Sequence, residues 1–181
     1  MSEAVPRRDE SSAAAQIAGV FSKHADFVWR SLRRLGVPSA DVDDALQEVF
    51  LVVHRRLAEY EDRGLMRAWL FSISRQVSSH YHRSLKRSEA RHRGLVVDAA
   101  APDLEEVVAR REAEQLVGSF LDGLEEPQRL VFYLSDIEGL TAPEIASALE
   151  VNLNTVYGRL RQARKRFELL LSERAGLGVA P

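Results

Sequence analysis

The sequence predicts an all-α protein built as two small helical domains, a helical bundle followed by a helix-turn-helix domain, joined by a flexible linker. Three observations lead there. Apolar residues recur at spacings of mostly three and four along the chain, the signature of amphipathic helices. No segment alternates apolar and polar residues over a strand's length. The helical pattern lapses in SEARHRGLVVDAAAPD, Ser88 to Asp103, a small-residue stretch with Gly94 and Pro102 that reads as an interdomain connection.

The elements follow in order. From about Ser12 to Leu35 a stripe of Ile17, Val20, Phe21, Val28, Leu32 and Leu35 predicts the first helix, and GVP at Gly36 to Pro38 stops it. Ser39 is a natural N-cap for the second, with Asp41 placing a carboxylate in its positive first turn. That helix carries Val42, Ala45, Leu46, Val49, Phe50, Val53 and Leu57 and ends at EYEDRG, Glu59 to Gly64. Leu65, Met66, Trp69, Leu70, Ile73, Val77 and Tyr81 form a third stripe, completing a three-helix unit assigned to residues 12–87. The linker is assigned to 88–104 and the second domain to 105–172. There Val107, Val108, Leu116, Val117, Phe120, Leu121 and Leu124 resume the pattern. Pro127 suits the first turn of a helix bearing Leu130, Val131, Leu134 and Ile137, which Gly139 closes.

Composition bounds the function. With 181 residues, 45% hydrophobic and 29% charged, the chain has a globular makeup, and no apolar run approaches the ~20 residues that span a bilayer. The N-terminus lacks the pattern of a signal peptide, so the expected compartment is the cytoplasm. Zero cysteines exclude disulfides, thiolate metal sites and a cysteine nucleophile together. A net charge of -2 argues against a uniformly basic coat, but the charge is segregated into blocks. Acids gather at Asp41, Asp43, Asp44 and Glu48, and bases at Arg83, Lys86, Arg87, Arg91 and Arg93.

The most informative motif is TAPEIASALEVNLNTVYGRLRQARKR. Thr141 and Glu144 have the spacing of a capping box, with Pro143 in the tolerated first turn. Ile145, Ala146 and Leu149 are expected to face inward, a tight connection follows at Glu150 and Val151, and Asn152 can cap a longer helix with Val156, Leu160, Ala163 and Phe167 on its apolar side. Short helix, tight turn and long basic helix is helix-turn-helix grammar. In that docking mode the start of the second helix meets base edges and flanking bases grip phosphates. The bases are Arg159, Arg161, Arg164, Lys165 and Arg166. Neutralising about five phosphates makes log affinity fall with log salt at a slope of roughly -4.5. A basic helix end that merely complements the helix dipole in solvent is the plainer alternative.

Two further clusters carry chemistry. Asp41, Asp44 and Glu48 fall at i, i+3 and i+7, a pattern open to a solvated face, a protein-docking rim or a divalent-metal cluster. The third helix combines Trp69, Phe71 and Tyr81 with Arg67, Arg75, His80, His82 and Arg83, a mixture suited to single-stranded DNA, whose bases stack on rings. Trp69 and Phe71 cannot share one helix face; Trp69, in phase with Ile73 and Val77, is the expected core residue. The five histidines show no helical metal-binding pair, and no metal or other cofactor is expected.

DVDDALQEVFLVVHRRL and MRAWLFSISRQVSSHYHR in the first half, with LEEPQRLVFYLSDIEGLTAPEIASALEVNLNTVYGRLRQARKR in the second, resemble regions 2 and 4 of the sigma-70 family, specifically its extracytoplasmic-function group. The resemblance covers roughly Phe21 to Leu171 and implies a transcription initiation factor, without covalent chemistry of its own or a small-molecule substrate. It implies that Asp44, Gln47, Glu48 and Phe50 dock on the clamp helices of the RNA polymerase core. It implies capture and melting of the minus-10 element by Arg67, Phe71, Arg75, Gln76, His80, Arg83, Lys86 and Arg87. It implies recognition of the minus-35 element by Asn152, Asn154, Thr155, Tyr157, Gly158, Arg159, Arg161, Gln162 and Arg164. An anti-sigma factor, able to hold the protein at the inner membrane, is a further partner implied by the group.

The chain departs from the family pattern at three places. Glu150 stands where a Gly is usual, Gln76 where many relatives have Asn, and Tyr157-Gly158 where a basic residue and Ser are common. Rival classes are an operator-binding helix-turn-helix dimer, which leaves the first half unassigned, and a metal-dependent nuclease using Asp41, Asp44 and Glu48.

Overall fold

The computed structural model describes the backbone of residues 8–60, 64–88 and 104–177, and the side chains of 15–60, 64–81, 113–174 and 176. The described residues contain seven α-helices and no strand. The chain divides into two compact units, Met1–Leu95 and Val96–Pro181. Most of the stretch expected to be the linker, residues 89–103, lies outside the described residues.

The first unit consists of α1 (Arg8–Arg34), α2 (Val42–Arg56), a 3-10 turn (Leu57–Glu59) and α3 (Met66–Ser88), with all three helices packed on one another. Its core brings Phe27, Val28 and Leu32 of α1 against Val42, Ala45, Val49 and Val53 of α2 and Leu70, Phe71, Ile73 and Val77 of α3. Helix α1 closes through Gly36 at φ 86°, where the Val37 amide donates to the Leu32 carbonyl at 3.0 Å. This left-handed closure needs a residue without Cβ strain and delivers the buried Val37 into the core. The cap of α2 differs from expectation. Asp41, not Ser39, occupies the N-cap, because the Asp41 amide donates to the Pro38 carbonyl and completes a turn before the helix starts. Its side chain makes no capping bond, while Asp43 and Asp44 lie in the positive first turn.

The second unit consists of α4 (Leu104–Asp122), α5 (Glu126–Phe132) running into a π-turn (Tyr133–Ile137), α6 (Ala142–Leu149) and α7 (Leu153–Leu177). Leu121, Leu124, Phe132 and Ala163 form a core against which Val117, Phe120 and Phe167 pack. The rings of Phe120, Phe132 and Phe167 contact one another with centroids 4.9 to 5.6 Å apart. Pro127 lies in the first turn of α5 and Gly139, at φ 69°, closes the segment. The π-turn was not foreseen. Its extra residue turns Ile137, expected in the core, out to solvent. A buried bond from the Tyr133 hydroxyl to Glu138 at 2.8 Å spans the turn.

Candidate nucleic-acid and partner interfaces

The helix-turn-helix is built as its sequence dictates. The Thr141 amide donates to Glu144 Oε2 at 2.7 Å, and the reciprocal bond from the Glu144 amide to the Thr141 side chain completes the capping box. Helix α6 buries Ile145, Ala148 and Leu149, while Ala146, expected inward, is only half-buried. The turn keeps its left-handed residue despite lacking Gly. Glu150 sits at φ 56°, ψ 44°, and the Val151 amide donates to the Ala146 carbonyl at 3.0 Å. Asn152 then caps α7, its Oδ1 accepting the Asn154 amide at 2.8 Å and its carbonyl accepting the amides of Thr155 and Val156.

Helix α7 presents its residues on distinct flanks. Val156, Leu160 and Ala163 are buried against the unit. Asn154, Tyr157, Gly158, Arg161, Arg164 and Lys165 line an open groove along the outer side, with one acid, Glu168, beyond them and Tyr157 53% exposed. Lys165 belongs to this face, although it is not among the minus-35 residues that the family resemblance implies. Thr155, Arg159 and Gln162 fall on another flank at 3.6 residues per turn, and Gln162 accepts a bond from Gln128 of α5 at 2.9 Å. Gly158 is not required by packing, since a Cβ there meets nothing within 4 Å. Arg164 is not the free cation its sequence suggests. Its Nε donates to Asp136 Oδ1 at 3.0 Å and its Nη2 to Ser135 Oγ at 3.3 Å.

The exposed face of α2 carries Asp43, Asp44, Gln47, Glu48 and Leu51. Phe50, expected at a docking surface, is instead core: it is 7% exposed and its ring meets Phe21 of α1 at 4.7 Å. The exposed apolar residue of this face is its neighbour Leu51, at 56% exposure. A one-residue step moves a side chain by about 100° on a helix, enough to exchange core for surface. Tyr81 of α3 donates to Glu48 Oε1 at 3.3 Å. Its hydroxyl pKa is pushed up to about 12, first by burial, then by the charge of Glu48 and the bond to it, with smaller contributions from Asp44 and Asp41. Among the described residues no group of three or more His, Asp or Glu could hold a metal ion.

Helix α3 reverses one expectation. Phe71 is fully buried and Trp69 is only half-buried, its ring against Tyr60 with centroids 4.7 Å apart. The buried face is broad and includes Ser74 and Ser78, whose hydroxyls donate to the carbonyls of Leu70 and Arg75. Counting those serines as polar shifts the apparent phase toward Trp69. Trp69, Ser72, Gln76, Ser79 and His80 therefore share the outer side. Arg67 lies elsewhere, its guanidinium 4.4 Å from the centre of the Phe27 ring on α1. It helps depress the pKa of the nearby His24, whose burial is the larger cause. The side chains of Arg83, Lys86 and Arg87 lie outside the described residues.

A capped helix-turn-helix with a basic outer groove, preceded by a separate three-helix unit with an acidic face, defines a two-unit DNA-binding protein. Comparison with known proteins narrows the class. The family description "Sigma-70 region 2" matches residues 20–88 and "Sigma-70, region 4" matches residues 114–167. The ferric citrate uptake sigma factor FecI of Escherichia coli K12 is 30% identical over 153 residues, covering 82% of this chain and 87% of FecI. The RNA polymerase sigma factor NccH of Alcaligenes xylosoxydans xylosoxydans is 27% identical over 176 residues, covering 93% of this chain and 94% of NccH. The solved structure of CnrH in complex with the cytosolic domain of CnrY matches with a TM-score of 0.63 at 27% identity, covering 90% of this chain and 94% of CnrH. The chain belongs to the sigma-70 family, in its extracytoplasmic-function group. It is a transcription initiation factor that directs RNA polymerase to promoter DNA. No described helix is long and apolar enough to cross a membrane.

Proposed function

We propose that the two units divide the work of promoter recognition, with residues 12–87 docking on polymerase core and opening the minus-10 element, 88–104 linking, and 105–172 reading the minus-35 element. The observation that carries the reading is the outer face of α7, where Asn154, Tyr157 and Arg161 follow one another behind a capped turn. Asn154 and Tyr157 meet base edges, Tyr157 offering an apolar contact to a thymine methyl, and Gly158 leaves the backbone open to close approach. Arg159, Arg161 and Lys165 grip phosphates, while Asn152 acts through the cap.

In the first unit, Asp44, Gln47 and Glu48 surround Leu51 as the polymerase-docking face, a charged rim about an apolar centre. Gln76 and His80 face the non-template strand beside the Trp69–Tyr60 ring pair, and Arg75, Arg83, Lys86 and Arg87 follow its backbone. The solved complex of CnrH with the cytosolic domain of CnrY supports a protein partner for this chain, which the family resemblance gives as an anti-sigma factor, and a cytoplasmic site of action.

Run-off transcription with purified core polymerase and genomic promoter fragments tests this reading. Promoter-specific transcripts are expected; their absence with folded protein and active core would overturn it. Asn154→Ala is expected to change base preference and Arg159→Ala to weaken all sites with a shallower salt slope. Equal loss at every site for Asn154→Ala would remove that residue from the reading face.

A further inference from the structure

Arg164 sits in the outer groove of α7, where an arginine reads as a phosphate contact, yet it is held by a residue 28 positions earlier in the chain. Asp136 accepts from Nε with both carboxylate oxygens, at 3.0 and 3.4 Å, and Ser135 accepts from Nη2. Both partners belong to the π-turn, whose added residue aims them at α7 while turning Ile137 outward. The buried Tyr133–Glu138 bond spans that same turn. The pair remains open to solvent, with Arg164 50% and Asp136 28% exposed, so its charge is felt at the groove.

We propose that Asp136 acts through Arg164 to set the charge that α7 brings to DNA, cancelling the cation so that a smaller share of the affinity is sequence-independent attraction and a larger share is base contact. This rests on the minus-35 reading given above. A carboxylate and a guanidinium side by side sum to zero. If DNA draws Arg164 away, Asp136 is left facing the phosphates, and the net charge brought to the duplex is unchanged. Counterion release follows that net charge, so with Arg159, Arg161 and Lys165 as the remaining phosphate contacts α7 counts as about three cations rather than four and contributes a salt slope of roughly -2.7 rather than -3.6. The non-specific attraction falls, while contacts from Asn154 and Tyr157 are untouched.

The test uses the full chain assembled with core polymerase, on a duplex promoter fragment and on the same fragment with its minus-35 element scrambled, across 50 to 200 mM salt. Asp136→Asn keeps a hydrogen-bonding side chain but loses the charge. It is expected to steepen the slope by about 0.9, which across that fourfold salt range is about a 3.5-fold larger loss of affinity. It is also expected to tighten binding to the promoter and to the scrambled fragment by a similar factor, as a contact to phosphate does. Arg164→Ala removes a cation already cancelled and leaves Asp136, so the expected slope is about 0.9 shallower than wild type, and the Asp136→Asn/Arg164→Ala double variant returns to the wild-type slope. An unchanged or shallower slope for Asp136→Asn, with a wild-type thermal transition, overturns the proposal. A double variant as shallow as Arg164→Ala alone also overturns it, because Asp136 then contributes no charge at the groove. Equal wild-type affinity for promoter and scrambled fragments would overturn the minus-35 reading itself, a result distinct from either.

Discussion

Replacing Glu150 by glycine should stabilise the second unit. Glu150 adopts φ 56°, ψ 44°, a left-handed conformation that costs an L-residue with a Cβ about 1–2 kcal/mol. Glycine removes that cost but frees the unfolded chain, which returns about 0.4–1 kcal/mol. The net is about 1 kcal/mol in favour of Glu150→Gly, or about 4–8 °C in the midpoint for a domain of this size. Glu150→Ala supplies the comparison, since it deletes the carboxylate and keeps the left-handed strain. The gap between the Gly and Ala variants then isolates the backbone. The chain carries its own internal control, because both tryptophans, Trp29 and Trp69, lie in the first unit. Tryptophan fluorescence reports that unit's melting and should not move, whereas the later or earlier helical transition seen by circular dichroism should rise with Glu150→Gly. A Gly variant no more stable than the Ala variant would refute the strain argument.

Other perturbations separate core from surface. Phe71→Ala should cost the first unit about 3–5 kcal/mol, read by urea unfolding, while Trp69→Ala should cost clearly less and act mainly on promoter opening, read by permanganate footprinting of the melted strand. Thr141→Ala removes one half of the capping box and should lower second-unit stability by about 1 kcal/mol with no change in tryptophan-detected melting. Tyr81 should ionise late, near pH 12, in an ultraviolet titration, and Tyr81→Phe should delete that component. The raised value means that the fold holds this proton more tightly than the unfolded chain. Its contribution to stability is therefore complete below about pH 10 and lost as pH climbs through 12, a dependence that Tyr81→Phe should flatten.

Local chemistry was legible in the sequence to the extent that it is local. The capping box at Thr141 and Glu144, the Asn152 cap, Pro127 in the first turn of α5 and the left-handed glycines at 36 and 139 are all decided within a few residues. Glu150 departed from the usual residue and the turn persisted, because the packing of α6 and α7 outweighs a strain of about 1–2 kcal/mol. Side-chain direction was harder. The face of α3 was misphased because Ser74 and Ser78 satisfy their hydroxyls on their own helix and are buried like apolar residues. Phe50 stands in the apolar stripe of α2 and is buried as periodicity predicts; it was the family resemblance that placed it at a docking surface, where its neighbour Leu51 is the exposed residue. The Asp136–Arg164 pair joins residues far apart through a π-turn that no local motif announces, and so the site's true charge was invisible until the turn was seen.

Leu51 has a consequence for the free protein. An apolar side chain left 56% exposed invites self-association, but here Asp44, Gln47 and Glu48 stand on the same face within two turns of the helix. Two copies approaching through this surface would press like charges together as the leucines met. The carboxylates thus act as gatekeepers, keeping a sticky residue harmless among identical molecules while leaving it available to a surface of opposite charge.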